Sequence, residues 1–355
     1  MTMTEERNPD GTDEVEQAAP GSRGAGWVLG VASGLFALVL VGGAVVSSQR
    51  STPAEPAADE PAVDEPVAEE PAVDPPVAED EDAADPAPEA AGDELTWAPP
   101  ELVDPERVLV TEDNRNLELD PERDYELVLP DEPLEVAGGV TVVGGRNVVM
   151  IGGEISIPDS GARDGNDVRA VYLKNQTGTV HIEGLAITGE GLGEGFNLDQ
   201  REGAVVQLQN IHVETVQGTR EGHHADLIQT WAGPRQLLVD GLTGSTSYQG
   251  FFLLPQQFGE QPEPELFDLR DIDITGVEGS GYLLWRDESS WPISVEDVHV
   301  SPQYDTDDRG AFLWPRDDGT GSWDDVRSGA PDGGSFVPEG LAGTSYRSPG
   351  YAPAG

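Results

Sequence analysis

Two families of short, strand-like segments alternate along the chain and recur every 25–31 residues. The first family has leucine at its fourth place and reads AVYLKN (170–175), GFNLDQ (195–200), HADLIQ (224–229), GFFLLP (250–255), GYLLWR (281–286) and GAFLWP (310–315). The second reads HIEGLAIT (181–188), QLQNIHVE (207–214), LVDGLTGS (238–245), DLRDIDIT (268–275) and SVEDVHVS (294–301), after an earlier member VVMIGGEISI (148–157). Two such segments per repeat at this period are typical of the coils of a solenoid.

Both families alternate apolar and polar residues with period two and are bounded by Gly, Pro, Asn or Asp, which indicates strands. The leucine-rich repeat is the rival at this period, but its L-x-x-L-x-L-x-x-N signature is absent. We therefore predict an all-β domain over 96–355, a right-handed parallel β-helix whose coils stack about 4.8 Å apart. We expect an N-terminal cap over 101–145 and an irregular C-terminal cap over 316–355.

The chain is strongly acidic, with 68 Asp and Glu against 19 Lys and Arg and a net charge of −49. Nucleic acids and anionic lipid surfaces are polyanions, so neither is expected as a partner. The chain has no cysteine, which excludes disulfides, thiol catalysis and thiolate metal sites. We expect a monomer.

The N-terminal part divides into three segments by composition. Residues 1–25 are predicted to be a disordered cytoplasmic leader, and 26–48 a transmembrane anchor or uncleaved signal, because Trp27–Val46 carries no charge and is long enough to cross about 30 Å of hydrocarbon. A cleaved signal peptide is the alternative. Residues 49–95 form a disordered acidic linker rich in Pro and Ala, which can extend about 140 Å. We expect a single-pass protein of the cell membrane with an extracellular C-terminal domain.

The run GGVTVVGGRNVVMIGGEISI (138–157), followed by coils of the type GLAITG and NIHVET, resembles the pectate-lyase-like β-helix superfamily. The resemblance covers about residues 105–315. It implies the fold but not one activity, since members include polysaccharide lyases, glycoside hydrolases, epimerases and non-catalytic adhesins. With its anchor, acidic linker and preference for Arg over Lys, the chain resembles membrane-anchored surface proteins of actinobacteria.

If the fourth-place leucines face the core, the alternate residues of each first-family strand face outward. This outer face combines polar groups with aromatic rings, which suits the hydroxyl edges and apolar faces of sugars. The residues we expect to bind substrate are Tyr172, Lys174, Asn197, Gln229, Trp285 and Arg286. The second family's histidines, His181, His212 and His299, are expected to be solvated.

His224 and Asp226 are two residues apart and should leave the strand on one side, where a carboxylate can orient an imidazole for acid–base work. Asp199 should lie diagonal to Asp226, about 8 Å between Cβ atoms, which suits an inverting glycosidase. Tyr248 should reach His224 as a proton donor. The candidate catalytic residues are therefore His224, Asp226, Asp199 and Tyr248; the alternative is a structural His–Asp pair that stabilises a turn.

Departures from known members matter for the chemistry. The resemblance implies a basic cleft and Ca²⁺-binding acids in a pectate lyase, whereas the face predicted here carries only Lys174 and Arg286 as bases. The polygalacturonase motifs NTD, GHG and RIK are not present as a set, so no catalytic residue is carried over. HADLIQ does resemble an H-x-D-x-x-Q strand of some β-helix proteins.

We expect no metal site and no cofactor, with Ca²⁺ left open by the resemblance. The expected function is binding of a surface or environmental polysaccharide, with cleavage by a lyase or hydrolase reaction left open. The alternative is a non-catalytic adhesin or cell-wall spacer.

Overall fold

The computed structural model describes residues 95–161, 165–258, 261–287, 291–316 and 321–352. The predicted leader, membrane span and all but the last residue of the linker lie outside them. Within these five ranges no helix is long and apolar enough to cross a membrane.

Regular structure in these ranges consists of strands and one 3₁₀ helix, Arg309–Ala311. The strands are β1 (Glu106–Leu109), β2 (Asn116–Leu119), β3 (Tyr125–Val128), β4 (Leu134–Glu135), β5 (Val140–Gly144), β6 (Val148–Ile151), β7 (Glu154–Ser156), β8 (Arg169–Lys174), β9 (Thr179–Glu183), β10 (Ala186–Thr188), β11 (Glu194–Asp199), β12 (Val205–Val216), β13 (Asp226–Ala232), β14 (Gln236–Thr246), β15 (Phe251–Leu253), β16 (Leu266–Gly276), β17 (Leu284–Arg286), β18 (Ile293–Ser301), β19 (Leu313–Trp314) and β20 (Arg327–Ser328).

The strands form two parallel sheets, one from each family of segments. The front sheet has eight strands in the order β2-β5-β8-β11-β13-β15-β17-β19. The back sheet has twelve, with the main path β1-β3-β6-β9-β12-β14-β16-β18-β20. Successive coils add one strand to each sheet, giving a parallel β-solenoid of right-handed type with about seven turns. The predicted all-β solenoid is confirmed at this level.

A left-handed residue bends the back sheet in each of five successive coils. The positions are Gly184, Asn210, Gly241, Asp271 and Asp297, all with φ between 47° and 69°. From β12 to β18 each interrupts the hydrogen-bonded register of its strand. Gly, Asn and Asp are the residue types that tolerate this conformation, so their recurrence is the local cause of the bend.

The core between the sheets is built from stacked apolar columns. One column runs through Val171, Phe196, Ile228, Phe251 and Leu284, which are paired in register on successive front strands and fully buried. Burying a side chain of this size contributes roughly 1.5–3 kcal/mol before entropy is counted, so the columns hold the coils together.

The fourth-place leucines of the first family pair with one another on only some of the front strands. Leu173 pairs with Leu198 as predicted, but Leu198 pairs with Thr230 rather than Leu227. The whole start of β13 lies three residues from the register that would align the leucines, since Glu194 pairs with Asp226 and Phe196 with Ile228. The amides of Leu227 and Ile228 both approach the carbonyl of Gly250, at 2.8 and 3.4 Å, and both side chains are buried. The prediction that Leu227 continues the row is therefore wrong.

The fourth-place leucines also fail to pair between β15 and β17. Leu253 pairs with Arg286 and not with Leu284, while Leu284 pairs with Phe251. Arg286 consequently points into the end of the core.

The C-terminal residues 329–352, here called the strap, return along the outer face of the back sheet. Residues 321–328 lie at the last coil, where Trp323 Nε1 donates to the carbonyl of Trp314 at 2.8 Å. The strap then passes β16 and β14 and reaches β9, where Tyr346 Oη donates to Glu183 at 2.5 Å.

The strap overturns the expectation that the three back-sheet histidines are solvated. His212 Nδ1 lies 2.8 Å from the carbonyl of Val337, and His299 Nδ1 lies 3.2 Å from that of Gly329. His181 is fully buried between Gln207 and the strap-bound Glu183. The strap, remote in sequence, thus contacts His212 and His299 directly and bonds the acid partner of His181.

Candidate functional site

Two rows of side chains cross the outer face of the front sheet. The acid row consists of Arg169, Glu194 and Asp226, which share one register position. The central row lies three residues further along each strand and contains Tyr172, Asn197, Gln229, Phe252, Trp285 and Trp314. The Arg169 guanidinium lies 5.3 Å from the Tyr172 ring centre and 4.8 Å from that of Trp231, which places the two rows on the same face.

The two carboxylates of the acid row have different surroundings. Glu194 accepts a hydrogen bond from Arg169 Nε at 2.8 Å, and its other oxygen lies 3.4 Å from His223 Nε2. Asp226 is 1% exposed, and neither of its oxygens has a hydrogen-bond partner among the described residues. One acid is thus paired with a cation, while its neighbour is buried alone.

Burial controls the protonation of this cluster. It raises the pKa of Asp226 well above its usual range, and the charge of Glu194 adds to the effect. Burial also lowers the pKa of His223, although Glu194 opposes this. The pKa of Tyr248 is raised first by burial and then by the charge of Asp226. The surroundings therefore favour a neutral acid at Asp226, next to a carboxylate that Arg169 balances.

Two more buried polar atoms in this part of the face have no hydrogen-bond partner in the described ranges. They are Asn197 Oδ1 and His223 Nε2. Asn197 is fully buried three residues after Glu194 on β11, and its Nδ2 donates to Gln229 Oε1 at 3.1 Å. Buried polar atoms almost always have partners, so these atoms and the Asp226 carboxyl are unusual for a protein interior.

The predicted pair of His224 and Asp226 does not form. Strand β13 begins at Asp226, so His224 belongs to the preceding turn, where its Nε2 lies 3.2 Å from the carbonyl of Arg220. Its ring is exposed and lies 4.8 Å from the ring of Tyr248. His223 is the histidine that contacts an acid, Glu194.

Asp199 is not diagonal to Asp226, because the shifted register pairs it with Ala232. Its carboxylate is held by Arg201 Nε at 2.7 Å and by Lys174 Nζ at 3.5 Å. The expected pairing of Lys174 with Asp199 is present, but Asp199 is too far along the strand to act with Asp226.

Among the predicted binding residues, Tyr172, Asn197, Gln229 and Trp285 all lie in the central row. Arg286 does not, because its register partner Leu253 faces inward. The Arg286 guanidinium is buried 3.9 Å from the Trp291 ring centre and donates to the Trp291 carbonyl at 3.0 Å. Its role in the described residues is to pack the end of the core.

Aromatic rings border the acid row along the solenoid. Phe252 and Trp285 stack with ring centres 4.3 Å apart and an interplanar angle of 19°. Trp231 contacts Tyr172 at 5.5 Å and the exposed Phe258 at 5.8 Å. The strap crosses the other sheet and leaves these partly exposed rings uncovered.

Sequence reasoning missed Arg169, Glu194, His223 and Trp231. A signal existed for two of them, since Arg169 and Glu194 each stand immediately before a first-family segment and so at equivalent places. Nothing in the sequence indicated the register that brings Asp226 to the same position. Which of two adjacent histidines would turn toward Glu194 was likewise not evident.

In the described ranges no three His, Asp or Glu side chains are grouped so that they could hold a metal ion. Glu194 and Asp199 are each engaged by a guanidinium, so neither belongs to an open carboxylate cluster of the kind Ca²⁺ requires.

No family model, no curated protein and no solved structure matches this chain. The class defined by fold and site is an acidic parallel β-solenoid whose front sheet carries an aromatic and amide row beside a buried acid pair.

Proposed function

We propose that the front sheet binds a polysaccharide along its central row. The observation that carries the proposal is the register itself, which aligns Asn197, Gln229, Phe252, Trp285 and Trp314 on successive strands about 4.8 Å apart. Such a row suits an extended polymer that runs along the solenoid axis.

The side-chain chemistry favours sugar over other polymers. Aromatic rings contact the apolar faces of sugar rings, and amides bond to their hydroxyl groups. The net charge of −49 disfavours a polyanion, so the preferred ligand is a neutral or weakly charged glycan.

The cellular setting belongs to the same proposal. An uncharged stretch at 27–46 followed by a proline-rich acidic segment supports an anchored protein whose solenoid is extracellular. Protease digestion of intact cells should remove the solenoid and leave a membrane-bound fragment. Kinship with the pectate-lyase-like superfamily is proposed on the coil segments and on the two parallel sheets.

Binding is tested with the full chain on an array of soluble polysaccharides, followed by titration calorimetry on those retained. We expect Trp285→Ala to weaken binding at least tenfold, because it removes a ring from the row. Tyr304→Ala is the matched control, since Tyr304 is an exposed aromatic in the turn after β18. Equal affinities for Trp285→Ala and the unaltered protein would exclude the central row as the binding surface.

A further inference from the structure

We propose that Glu194 and Asp226 form a hydrolytic site that cleaves the glycan held on the central row. This inference rests on the proposed function and adds to it a reaction class and two catalytic residues. It is carried by the pairing of the two acids and by the buried polar atoms that lack partners around them.

The first argument is geometric. Glu194 and Asp226 are paired in register on adjacent parallel strands, which sets their Cβ atoms about 5 Å apart. Cβ atoms at this distance allow the two carboxyl groups to adopt the separation of about 5–5.5 Å that retaining glycosidases use. Asp199 is five residues beyond Glu194, about 16 Å along the strand, so the wider inverting spacing is not available from it.

The second argument is the asymmetry of the pair. Arg169 Nε lies 2.8 Å from a Glu194 oxygen and so places a cation beside the proposed nucleophile. Asp226 is buried and has no cation beside it, so it keeps its proton and can act as the general acid. Arg169 is a positioning residue, held between Asn166 Oδ1 at 2.9 Å and the rings of Tyr172 and Trp231.

The reaction proceeds in two balanced steps. Asp226 gives its proton to the glycosidic oxygen while a Glu194 oxygen bonds to the anomeric carbon, and the bond to the leaving sugar breaks. A water molecule then attacks the anomeric carbon, its proton passes to the Asp226 carboxylate, and the bond to Glu194 breaks. The net change is addition of one water with retained anomeric configuration.

Access to the acid pair requires the turn 219–224 to move. Within the turn, the amide of Thr219 donates to the carbonyl of His223 at 2.8 Å and the amide of Gly222 donates to Thr219 Oγ1 at 3.0 Å. The His223 ring links the turn to the backbone of Gly193 and to Glu194. The turn can therefore swing as a unit when these contacts of His223 open. Sugar hydroxyl groups then supply the partners that Asn197 Oδ1 and His223 Nε2 lack.

The test uses the full chain and the polysaccharide that binds most tightly in the array. New reducing ends are measured over time, and proton NMR of the first product reports its anomeric configuration. We expect retention, and at least a hundredfold loss of cleavage in Asp226→Asn and Glu194→Gln with binding preserved. Azide should restore turnover of Glu194→Ala and give a glycosyl azide, which a merely structural role of Glu194 would not produce.

Asp271→Asn is the matched control, because it also converts a partly buried acid to an amide but lies on the back sheet, and it should cleave normally. Thermal unfolding of every variant confirms folding. Binding without cleavage, inversion, an unsaturated product, or full activity of Asp226→Asn would each overturn the inference and leave the binding proposal standing. Absence of binding to every glycan would overturn both.

Discussion

Glu194 and Asp226 occupy the same register position on adjacent parallel strands, yet only Glu194 has a cation partner. The difference follows from the neighbouring strands, since β8 places Arg169 beside Glu194, whereas on the other side of β13 the strand β15 begins only at Phe251, level with Ile228. Two carboxyl groups at one register position thereby have different electrostatic surroundings.

Replacement of Asp226 by Asn should stabilise the protein, by an amount that grows with pH. The folded carboxyl binds its proton more tightly than the unfolded one, whose pKa is about 3.9. The free energy of unfolding therefore falls as pH rises from about 4 through the raised pKa of Asp226. We expect Asp226→Asn to remove this loss. The free energy of unfolding of the variant should exceed that of the unaltered protein by on the order of 1–3 kcal/mol at high pH and should equal it near pH 4. A difference in melting temperature between the two proteins that stays the same at every pH would contradict a raised pKa of Asp226.

Asp271 should also make the stability of the protein depend on pH, over a lower pH range. Burial and the charges of Asp240 and Asp297 raise the pKa of Asp271 to about 6, so stability should decline as pH rises from about 4 through 6. Asp271→Asn should cancel the decline, and it suits the left-handed backbone there, as Asn210 does in an earlier coil. Scanning calorimetry between pH 4 and 8 measures this. A lower melting temperature of the variant at pH 7 would count against it.

Tyr346→Phe should loosen the strap. The Tyr346 hydroxyl donates to the fully buried Glu183 at 2.5 Å and accepts from Asn210 at 2.9 Å. Its removal leaves buried polar groups with fewer partners, at a cost of about 1–3 kcal/mol in the free energy of unfolding. Tyr304→Phe, at an exposed tyrosine, should change little. Denaturant unfolding compares the two, and equal midpoints would show that the hydroxyl does not stabilise the strap.

Gly184→Ala should be more destabilising than the backbone conformation alone explains. Gly184 has a φ of 67°, and an added Cβ would overlap the Tyr346 ring of the strap. Gly203→Ala is the control, since Gly203 has a φ of 78° with nothing within 4 Å of the added atom. We expect Gly184→Ala to cost about 1–3 kcal/mol more than the control. The excess should vanish when residues 329–355 are deleted; if it persists there, the clash is not with the strap.

The sequence predicted the solenoid because its evidence is local and repeated. Alternation along segments such as GFNLDQ (195–200) assigns each side chain to the core or the surface, and the period of 25–31 residues stacks the coils. The same reasoning correctly placed Tyr172, Asn197 and Trp285 on the outer face. It failed at Arg286 and His224, whose orientation depends on where a strand starts against its neighbours.

The amino-acid sequence by itself determined the architecture of this protein, two parallel sheets enclosing stacked apolar columns, because strand periodicity depends only on neighbours in the chain. Only the tertiary structure decided the candidate site and the cover of the back sheet. The register of β13 sets Asp226 beside Glu194, and the strap covers His212 and His299, since a shift of register or the return of a distant segment costs little locally but changes every contact across the sheet.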